Sequence, residues 1–207
     1  MPTLDLNASM KLLKKHYIPC VEFIRVKDEL ELQKAVKKLA SYPLALKLVS
    51  SKVSHKSDVG GVKLHIHSLG EAIHAFKSLK RIQGFEAAQV QHMEQGRELI
   101  VGGKLDEQFG PTILFGLGGI FTEVFKDFSL RVCPIDRKEA RKMISEIKGA
   151  KVLGEFRGQK PVNRKALEDV LLRVSDLMME EKIKELDINP LFVNEKKAIA
   201  VDARVVL

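Results

Sequence analysis

The 207-residue chain is poor in the residues on which several classes of binding site depend. It has no Trp, two Tyr and an aromatic content of 6%, and it lacks an arginine-rich tract. Aromatic side chains that could stack on bases are therefore scarce, which argues against a nucleic-acid-binding protein. Its two cysteines, Cys20 and Cys133, are far apart in sequence and lie in no CxxC or Cys/His group. No disulfide framework or structural zinc site is predicted.

Long hydrophobic runs are also missing. No apolar run approaches the ~18 residues that a membrane span requires. The N-terminus, MPTLDLNASM, lacks the basic and apolar regions of a signal peptide. We therefore expect a cytoplasmic protein with no membrane partner, long enough for one large domain or two packed lobes.

What the chain does have is a basic balance, with a formal net charge of +8. Such a charge indicates an anionic partner, which could be a nucleotide, phosphate, CoA, nucleic acid or an acidic protein. The basic residues are dispersed at helical spacing, as in Lys34, Lys37 and Lys38, which is typical of solvated helix faces. Charge alone does not define the function.

Helical and strand patterns alternate along the chain and predict two α+β lobes, residues 1–90 and 91–207. Helices are predicted over 29–40 and 69–81. Two more are predicted, one that begins at a capping box formed by Asp136 and Glu139, and one that begins at Arg164 after the cap Asn163. Strands are predicted over 44–49, 62–66, 87–93, 98–105, 111–116, 120–125, 130–135, 184–193 and 198–206.

The last two strands bring polar side chains to one face. If the turn 194–197 is symmetric, cross-strand partners have numbers that sum to 391, so Asn189 lies opposite Asp202 and Asp187 opposite Arg204. Because side chains alternate along a strand, all four share a face. Carboxylate and amide oxygens suit Mg²⁺, which keeps waters or phosphate oxygens at its other positions. The alternative is a surface hairpin with an Asp187–Arg204 pair.

The segment 47–64, KLVSSKVSHKSDVGGVKL, combines a strand lysine with a polar loop. Lys47 lies in an apolar strand, where its ammonium needs a counter-charge such as a phosphate. The loop ends in Gly60-Gly61 and can bring N–H groups close to phosphate oxygens, although its spacing is not a Walker A sequence. His55, with Asp58 as orienting partner, is a candidate nucleophile or proton carrier. An ordinary exposed loop histidine is the alternative.

Two further segments give weaker signals. The glycines of FGLGG, residues 115–119, can form either a phosphate nest or a tight turn between strands. In residues 89–102, polar side chains interrupt two strand patterns, so Gln91 and Glu98 can point into a cleft at the lobe junction. A simple hairpin with solvated edges is the alternative.

Four motifs together resemble a known family. They are the segment 47–64, the segment 96–125 (GRELIVGGKLDEQFGPTILFGLGGIFTEVF), the FRGQKPVN loop of 156–163, and ELDINPLFV (185–193) followed by VDAR (201–204). In this order, and over essentially the whole chain, they resemble the ATP-grasp (β) subunit of ADP-forming acyl-CoA synthetases. That family includes the ADP-forming acetate–CoA ligases, which are relatives of succinyl-CoA synthetase.

The resemblance implies an ATP-grasp fold of the α+β (α/β) class, with a nucleotide between two lobes. It implies the reversible conversion of acyl-CoA, ADP and phosphate into an acid, CoA and ATP. A CoA-binding α subunit, expected in an α2β2 heterotetramer, would form the acyl phosphate and carry the first phosphohistidine. This chain would pass the phosphoryl group to ADP, with Mg²⁺ and ATP/ADP as its ligands.

The resemblance also implies roles for individual residues. His55 would be the second phosphohistidine carrier. Asp58 would support His55. Asn189 and Asp202 would be the magnesium ligands, and Asp187 and Arg204 would support this pair or contact phosphate. The nucleotide-binding residues would be Lys47, Gly60 and Gly61 at the phosphates, Gln91 and Met93 at the adenine, and Glu98 toward the ribose. Many relatives have Glu where Gln91 stands. Lys56 and Arg131, with Lys47 and Arg204, are the cations expected to face phosphate.

Two other functions are compatible with the same residues. A stand-alone ATP-grasp carboxylate ligase would turn over without a partner, but it would have no use for a histidine on that loop. A non-catalytic nucleotide-binding or nucleic-acid-binding module would retain RNA or DNA in a salt-sensitive manner. Intact Lys47, Asn189 and Asp202 argue against a degenerate site.

Overall fold

The computed structural model describes residues 2–53, 56–119 and 127–207. The chain divides into two compact units. The N-terminal unit comprises Asp5–Asn7 and Val21–Glu94, and the C-terminal unit comprises Met1–Leu4, Ala8–Cys20 and Gln95–Leu207. The predicted N-terminal lobe also contains residues 1–4 and 8–20, which fall in the C-terminal unit, and its boundary lies four residues before Glu94.

The N-terminal unit is built on a four-stranded antiparallel sheet with the order β1-β4-β2-β3. Its strands are β1 (Phe23–Val26), β2 (Leu44–Val49), β3 (Val62–Ile66) and β4 (Ala87–His92). Helix α2 (Glu29–Leu39) follows β1, and α3 (Leu69–Lys80) follows β3. Helix α1 (Leu6–Lys15) precedes this sheet in the chain, and from Ala8 onward it belongs to the C-terminal unit. Neither α1 nor β1 is in the sequence prediction.

Local capping explains where α2 and α3 begin. The side chain of Asp28 accepts a hydrogen bond from the Glu31 N–H at 2.8 Å, and that of Ser68 accepts one from the Glu71 N–H at 3.2 Å. Each bond satisfies an N–H group that has no partner within the helix. The apolar stripes of both helices are buried, with Leu32, Val36, Leu39, Ala72, Phe76 and Leu79 in one core. Both predicted helices are thus confirmed.

The C-terminal unit contains an antiparallel sheet with the order β10-β8-β5-β6-β7, and β9 also pairs with β8. Its strands are β5 (Arg97–Asp106), β6 (Gly110–Leu117), β7 (Phe128–Val132), β8 (Glu185–Val193), β9 (Ala198–Ala200) and β10 (Arg204–Val206). Its further helices are α4 (Arg137–Glu146), a 3-10 helix (Lys148–Leu153) and α5 (Arg164–Glu180).

The two predicted helix starts of this unit are also confirmed. Asp136 accepts from the Glu139 N–H at 2.7 Å, and Asn163 accepts from the Ala166 N–H at 2.9 Å. The Glu139 carboxylate binds Lys142 at 2.7 Å and Arg131 at 2.8 Å, and these two cations lower its pKa to about 2. Each helix buries one apolar stripe, namely Ala140, Met143 and Ile144 on α4 and Leu167, Val170, Leu171, Val174, Leu177 and Met178 on α5.

Three strand predictions need comment. Strand β7 ends at Val132 rather than residue 135, because Pro134 has no N–H to donate to a neighbouring strand. The predicted strand 198–206 is split into β9 and β10. The predicted strand 120–125 lies outside the described residues.

The hairpin alternative for residues 89–102 is wrong. β4 pairs with β1 and β2, whereas β5 pairs with β6 and β8, so the two strands belong to different sheets.

No helix within the described ranges has both the length and the apolarity needed to cross a membrane.

Candidate functional site

The register of the C-terminal hairpin is the one predicted from its turn. In β8 and β10, Asp187 lies opposite Arg204, and in β8 and β9, Leu191 lies opposite Ala200. Both pairs of residue numbers sum to 391. The Val201 N–H donates to the Pro190 carbonyl at 3.3 Å and continues the same register between the two ladders. Asn189 and Asp202 therefore face each other across the hairpin, as the spacing requires.

The strand ladder is interrupted at this pair. Leu99 of β5 lies opposite Leu191, while Val101 lies opposite Ile188, so Asn189 and Pro190 together oppose one residue of β5. This is a β-bulge, a device that re-aims side chains and occurs often beside functional sites. Pro190 has no N–H to donate to a neighbouring strand, so a position where the ladder is interrupted accommodates it. The amide of Asn189 is exposed at this bulge.

Arg204 is less simply placed than the sequence suggests. Its Nη1 forms an ion pair with the Glu185 carboxylate at 3.5 Å. Its Nε is buried and has no hydrogen-bond partner in the part of the chain that the structure describes. A buried donor of this kind costs free energy unless a ligand or solvent satisfies it. Asp187 lines a groove of about 1300 Å³ on this sheet.

Lys47 lies in the middle of β2, and only 5% of its surface is exposed. Its cross-strand partners are Gln89 in β4 and Val62 in β3. Gln89 is fully buried and donates to the Gln91 amide oxygen at 2.7 Å, and it accepts from the Asn7 amide at 2.6 Å. The ammonium of Lys47 is therefore positioned beside a row of buried amides.

Sequence reasoning missed Gln89 and Asn7. The pattern AAQVQHM held a usable signal, because Gln89 and Gln91 alternate with Ala88 and Val90, which are buried. Polar residues at every second position of an otherwise apolar strand indicate a polar sheet face. Asn7 gave no such signal, because its contact with Gln89 spans 82 residues of sequence.

Hydrogen bonds fix both ends of the loop between β2 and β3. At the first end, the N–H and the hydroxyl of Ser51 both donate to Glu86, which lowers the pKa of that carboxyl. At the second end, the Gly61 N–H donates to the Lys56 carbonyl at 2.7 Å, and the Leu48 N–H donates to the Gly61 carbonyl at 2.7 Å.

The glycines of this loop meet different requirements. Gly60 has a φ of +67°, a conformation that residues with a Cβ rarely adopt. A Cβ on Gly61 would lie 2.8 Å from the Lys56 carbonyl oxygen. His55 lies outside the described residues, and Asp58 is exposed on the turn that follows it.

Met93 and Glu98 lie on either side of the sequence boundary between the units. The Met93 N–H donates to the Pro43 carbonyl at 3.2 Å, and the His65 N–H approaches the Met93 sulfur at 3.0 Å. Glu98 is exposed near the start of β5, and its carbonyl accepts from the Gly118 N–H at 2.8 Å. The roles of both residues in nucleotide binding stay predictions.

Arg131, one of the cations expected to face phosphate, forms ion pairs with two carboxylates. It binds Glu139 at 2.8 Å and Glu146 at 2.6 Å, and these carboxylates raise its pKa.

The two cysteines are free thiols, and burial raises the pKa of both, that of Cys20 to about 12. A thiol in that state is a poor nucleophile near neutral pH.

The donor set of the hairpin fits a magnesium ion. Asn189 and Asp202 offer one amide and one carboxylate oxygen, and Mg²⁺ prefers few protein ligands completed by waters and phosphate oxygens. Among the described residues there is no group of three or more His, Cys, Asp and Glu side chains that could hold a metal by themselves. A metal here would depend on ligands from a bound phosphate.

Comparison with known proteins gives a consistent assignment. A model of the ATP-grasp domain matches residues 2–207. The β subunit of ADP-forming acetate–CoA ligase I from Pyrococcus furiosus is 43% identical over 206 residues, which cover 95% of this chain and 88% of that subunit. This chain belongs to the ATP-grasp β-subunit family of ADP-forming acetate–CoA ligases. The predicted fold class and family are thus confirmed.

Other members of this ligase family carry the domain in a longer chain. ADP-forming acetate–CoA ligase I from Archaeoglobus fulgidus is 46% identical over 176 residues, which are 80% of this chain but 25% of that relative.

The solved acetyl-coenzyme A synthetase 1 of Ca. Korarchaeum cryptofilum, in complex with coenzyme A, Ca-AMPCP and HgCl⁺, superposes with a TM-score of 0.95 at 37% identity. That match covers 100% of this chain and 93% of the other.

A second structure of the Korarchaeum enzyme holds coenzyme A and Mg-AMPPCP. It superposes with a TM-score of 0.86 at 37% identity, and the match covers 100% of this chain and 93% of that one. Its phosphohistidine segment points towards the nucleotide binding site of that enzyme.

Proposed function

We propose that this chain is the nucleotide-binding subunit of an ADP-forming acetyl-CoA synthetase and transfers a phosphoryl group between a phosphohistidine and ADP. The observation that carries the proposal is the pairing of Asn189 and Asp202 at an interrupted strand ladder, in the register that the hairpin requires. A bulge on one strand and a break in the other leave two oxygen donors facing each other. That arrangement suits a Mg²⁺ ion shared with nucleotide phosphates.

Phosphoryl transfer requires mainly positioning and neutralisation of charge. Asn189 and Asp202 would hold Mg²⁺, which neutralises phosphate charge when bound. Lys47, buried beside the amides of Gln89 and Gln91, would supply a fixed positive charge to the phosphates. A lysine held in a strand loses little freedom on binding, so its charge is preorganised.

The carrier step is a simple exchange of bonds. A ring nitrogen of His55 attacks the terminal phosphorus of ATP, the bond from that phosphorus to the bridging oxygen breaks, and ADP leaves. The reverse step makes ATP from ADP and phosphohistidine. Glu86 and Gly61 fix the two ends of the loop on which His55 is carried, so the loop has defined anchors.

We further propose that CoA binds to an α subunit and that the two subunits form an α2β2 assembly in the cytoplasm. The Pyrococcus relative is a separate β subunit, and the chain spans about a quarter of the Archaeoglobus relative. Both facts support a partner that supplies the rest of the enzyme. Mg²⁺ and ATP/ADP would bind to this chain.

Labelling with radioactive ATP tests the carrier directly. Incubation of the full chain with Mg²⁺ and ATP labelled at the γ-phosphate is expected to give an acid-labile phosphoprotein. His55→Ala is expected to abolish the label, while His67→Ala, which alters an exposed histidine of the same unit, is expected to retain it. Equal labelling of His55→Ala and the wild type would show that His55 is not the carrier.

A further inference from the structure

A second cavity lies in the C-terminal unit, beside the turn formed by residues 156–159. Its volume is about 870 Å³, and its lining includes Glu98, Leu117, Asp127, Lys148, Phe156 and Arg157. We call it the Arg157 cavity. Its volume lies within the range of small-molecule sites, and it combines apolar walls with a few charged groups, as such sites do.

The turn that presents Arg157 is conformationally unusual. The Phe156 and Gln159 backbones exchange hydrogen bonds of 3.2 and 3.0 Å, and the two residues between them have positive φ angles, +48° for Arg157 and +74° for Gly158. This is the pattern of a type I′ turn, whose central positions favour Asn, Asp and Gly. An arginine at the first central position is disfavoured by its Cβ. Strain of this kind is often retained where a side chain has a function.

No carboxylate among the residues that the structure describes pairs with Arg157. Its guanidinium lies over the Phe156 ring, 5.4 Å from the ring centroid, and within the described ranges it forms no ion pair or hydrogen bond. The ring orients the guanidinium without neutralising it. Arg137, by contrast, is held by Glu168 at 3.1 Å and Asp169 at 2.7 Å.

The other charged groups of the lining have different roles. Both carboxylate oxygens of Asp127 are occupied, since they accept from the Lys148 N–H at 2.6 Å and the Gly149 N–H at 2.7 Å. The Lys148 side chain is exposed and forms no ion pair among the described residues. The lining also contains Glu98, for which we propose a contact with a ribose hydroxyl.

We propose that the Arg157 cavity binds a phosphate group, with Arg157 as its principal charged contact and Lys148 as a second. The forked donors of a guanidinium match phosphate oxygens in a bidentate geometry. The choice of phosphate among anions rests on the proposed function, whose substrates and carrier are phosphorylated. The cavity is larger than one phosphate ion, and Leu117 and Phe156 can pack against the apolar part of a phosphorylated molecule.

The test compares variants that keep the turn. Arg157→Asn removes the charge and places a residue that tolerates the left-handed conformation, so the fold is expected to be preserved or slightly stabilised, with a Tm up to about 2 °C higher. Arg157→Lys retains the charge but not the fork. Lys160→Asn removes an exposed charge from the same loop and is the matched control.

Calorimetric titrations of the full chain with inorganic phosphate and, separately, with Mg-ADP provide the readout. Arg157→Asn is expected to weaken binding of at least one probe by about tenfold or more. Arg157→Lys is expected to weaken it less, and Lys160→Asn to stay within about twofold of the wild type.

The two titrations also separate the sources of the phosphate. Weaker binding of Mg-ADP would assign the site to a nucleotide phosphate, and weaker binding of inorganic phosphate alone would assign it to a separate phosphate group. Unchanged binding of both probes by a folded Arg157→Asn would overturn the proposal and leave the proposed function intact. Phosphate binding that depends on Arg157 in a chain that never binds Mg-ADP would support this site and contradict the proposed function.

Discussion

Gly61→Ala is the substitution whose effect on the histidine loop can be worked out most fully. The added methyl would lie 2.8 Å from the Lys56 carbonyl oxygen and 3.1 Å from the Leu48 Cβ. The first contact is with backbone, so it cannot be relieved by rotation of a side chain. Leu48 is fully buried, so the second contact has no free space into which to relax. The chain at Lys56, directly after His55, must therefore move.

The size of the effect follows from this overlap. Overpacking of this type costs about 1–3 kcal/mol, and each 1 kcal/mol lowers the Tm by about 2–4 °C in a protein of this length. We therefore expect the Tm to fall by roughly 2–12 °C. A displacement of about 1 Å can lower a transfer rate by up to about 100-fold, so phosphorylation of His55 is expected to slow by tenfold or more.

Thermal unfolding and the rate of labelling by Mg-ATP measure the two effects. Gly70→Ala is the control, because it lies in α3 of the same unit and its added methyl would come no closer than 3.9 Å to another atom, the Ser68 hydroxyl oxygen. Alanine favours a helix over glycine, so the control is expected to gain up to about 1 kcal/mol and to label normally. A Gly61→Ala protein with the Tm and the labelling rate of the wild type would refute this account of the loop.

Three further predictions concern the C-terminal unit. Asp127→Asn weakens the cap on Lys148 and Gly149, and calorimetric unfolding is expected to show a loss of about 0.5–2 kcal/mol. Lys142 and Arg131 lower the pKa of Glu139 from 4.5 to about 2, so the contribution of this carboxylate to stability is lost as the pH falls through that range. Glu139→Gln should therefore flatten the curve of Tm against pH between these values. An unchanged slope would contradict the ion pairs. Asp202→Asn should raise the Mg²⁺ concentration for half-maximal labelling by about tenfold or more, whereas an unchanged requirement would remove Asp202 from the metal site.

The parts of the fold that follow local rules could be predicted from the sequence. The caps Asp136 and Asn163 and the apolar stripes behind them mark helix starts, because both depend on residues within a few positions. The hairpin register could be computed from its turn, because a turn of known length fixes the cross-strand partners. The same arithmetic places Asn189 opposite Asp202 from the sequence alone.

Features set by distant contacts were not predictable in the same way. The break between β9 and β10 arises at the bulge around Pro190, which is visible only when β5 is placed beside β8. The buried stripe of α1 (Leu6, Met10 and Leu13) has a helical spacing, but the prediction does not include this helix. The strain at Arg157 depends on backbone angles that no residue pattern gives, and FRGQ alone does not distinguish it from an ordinary loop.

The most direct test of the central claim is ATP formation by the assembled enzyme. The chain should be combined with its α subunit and assayed with acetyl-CoA, ADP, phosphate and Mg²⁺. ATP formation is expected to require both subunits, to accompany CoA release, and to be lost when the β subunit carries His55→Ala. ATP formation by either subunit alone, or at the wild-type rate with His55→Ala, would contradict it.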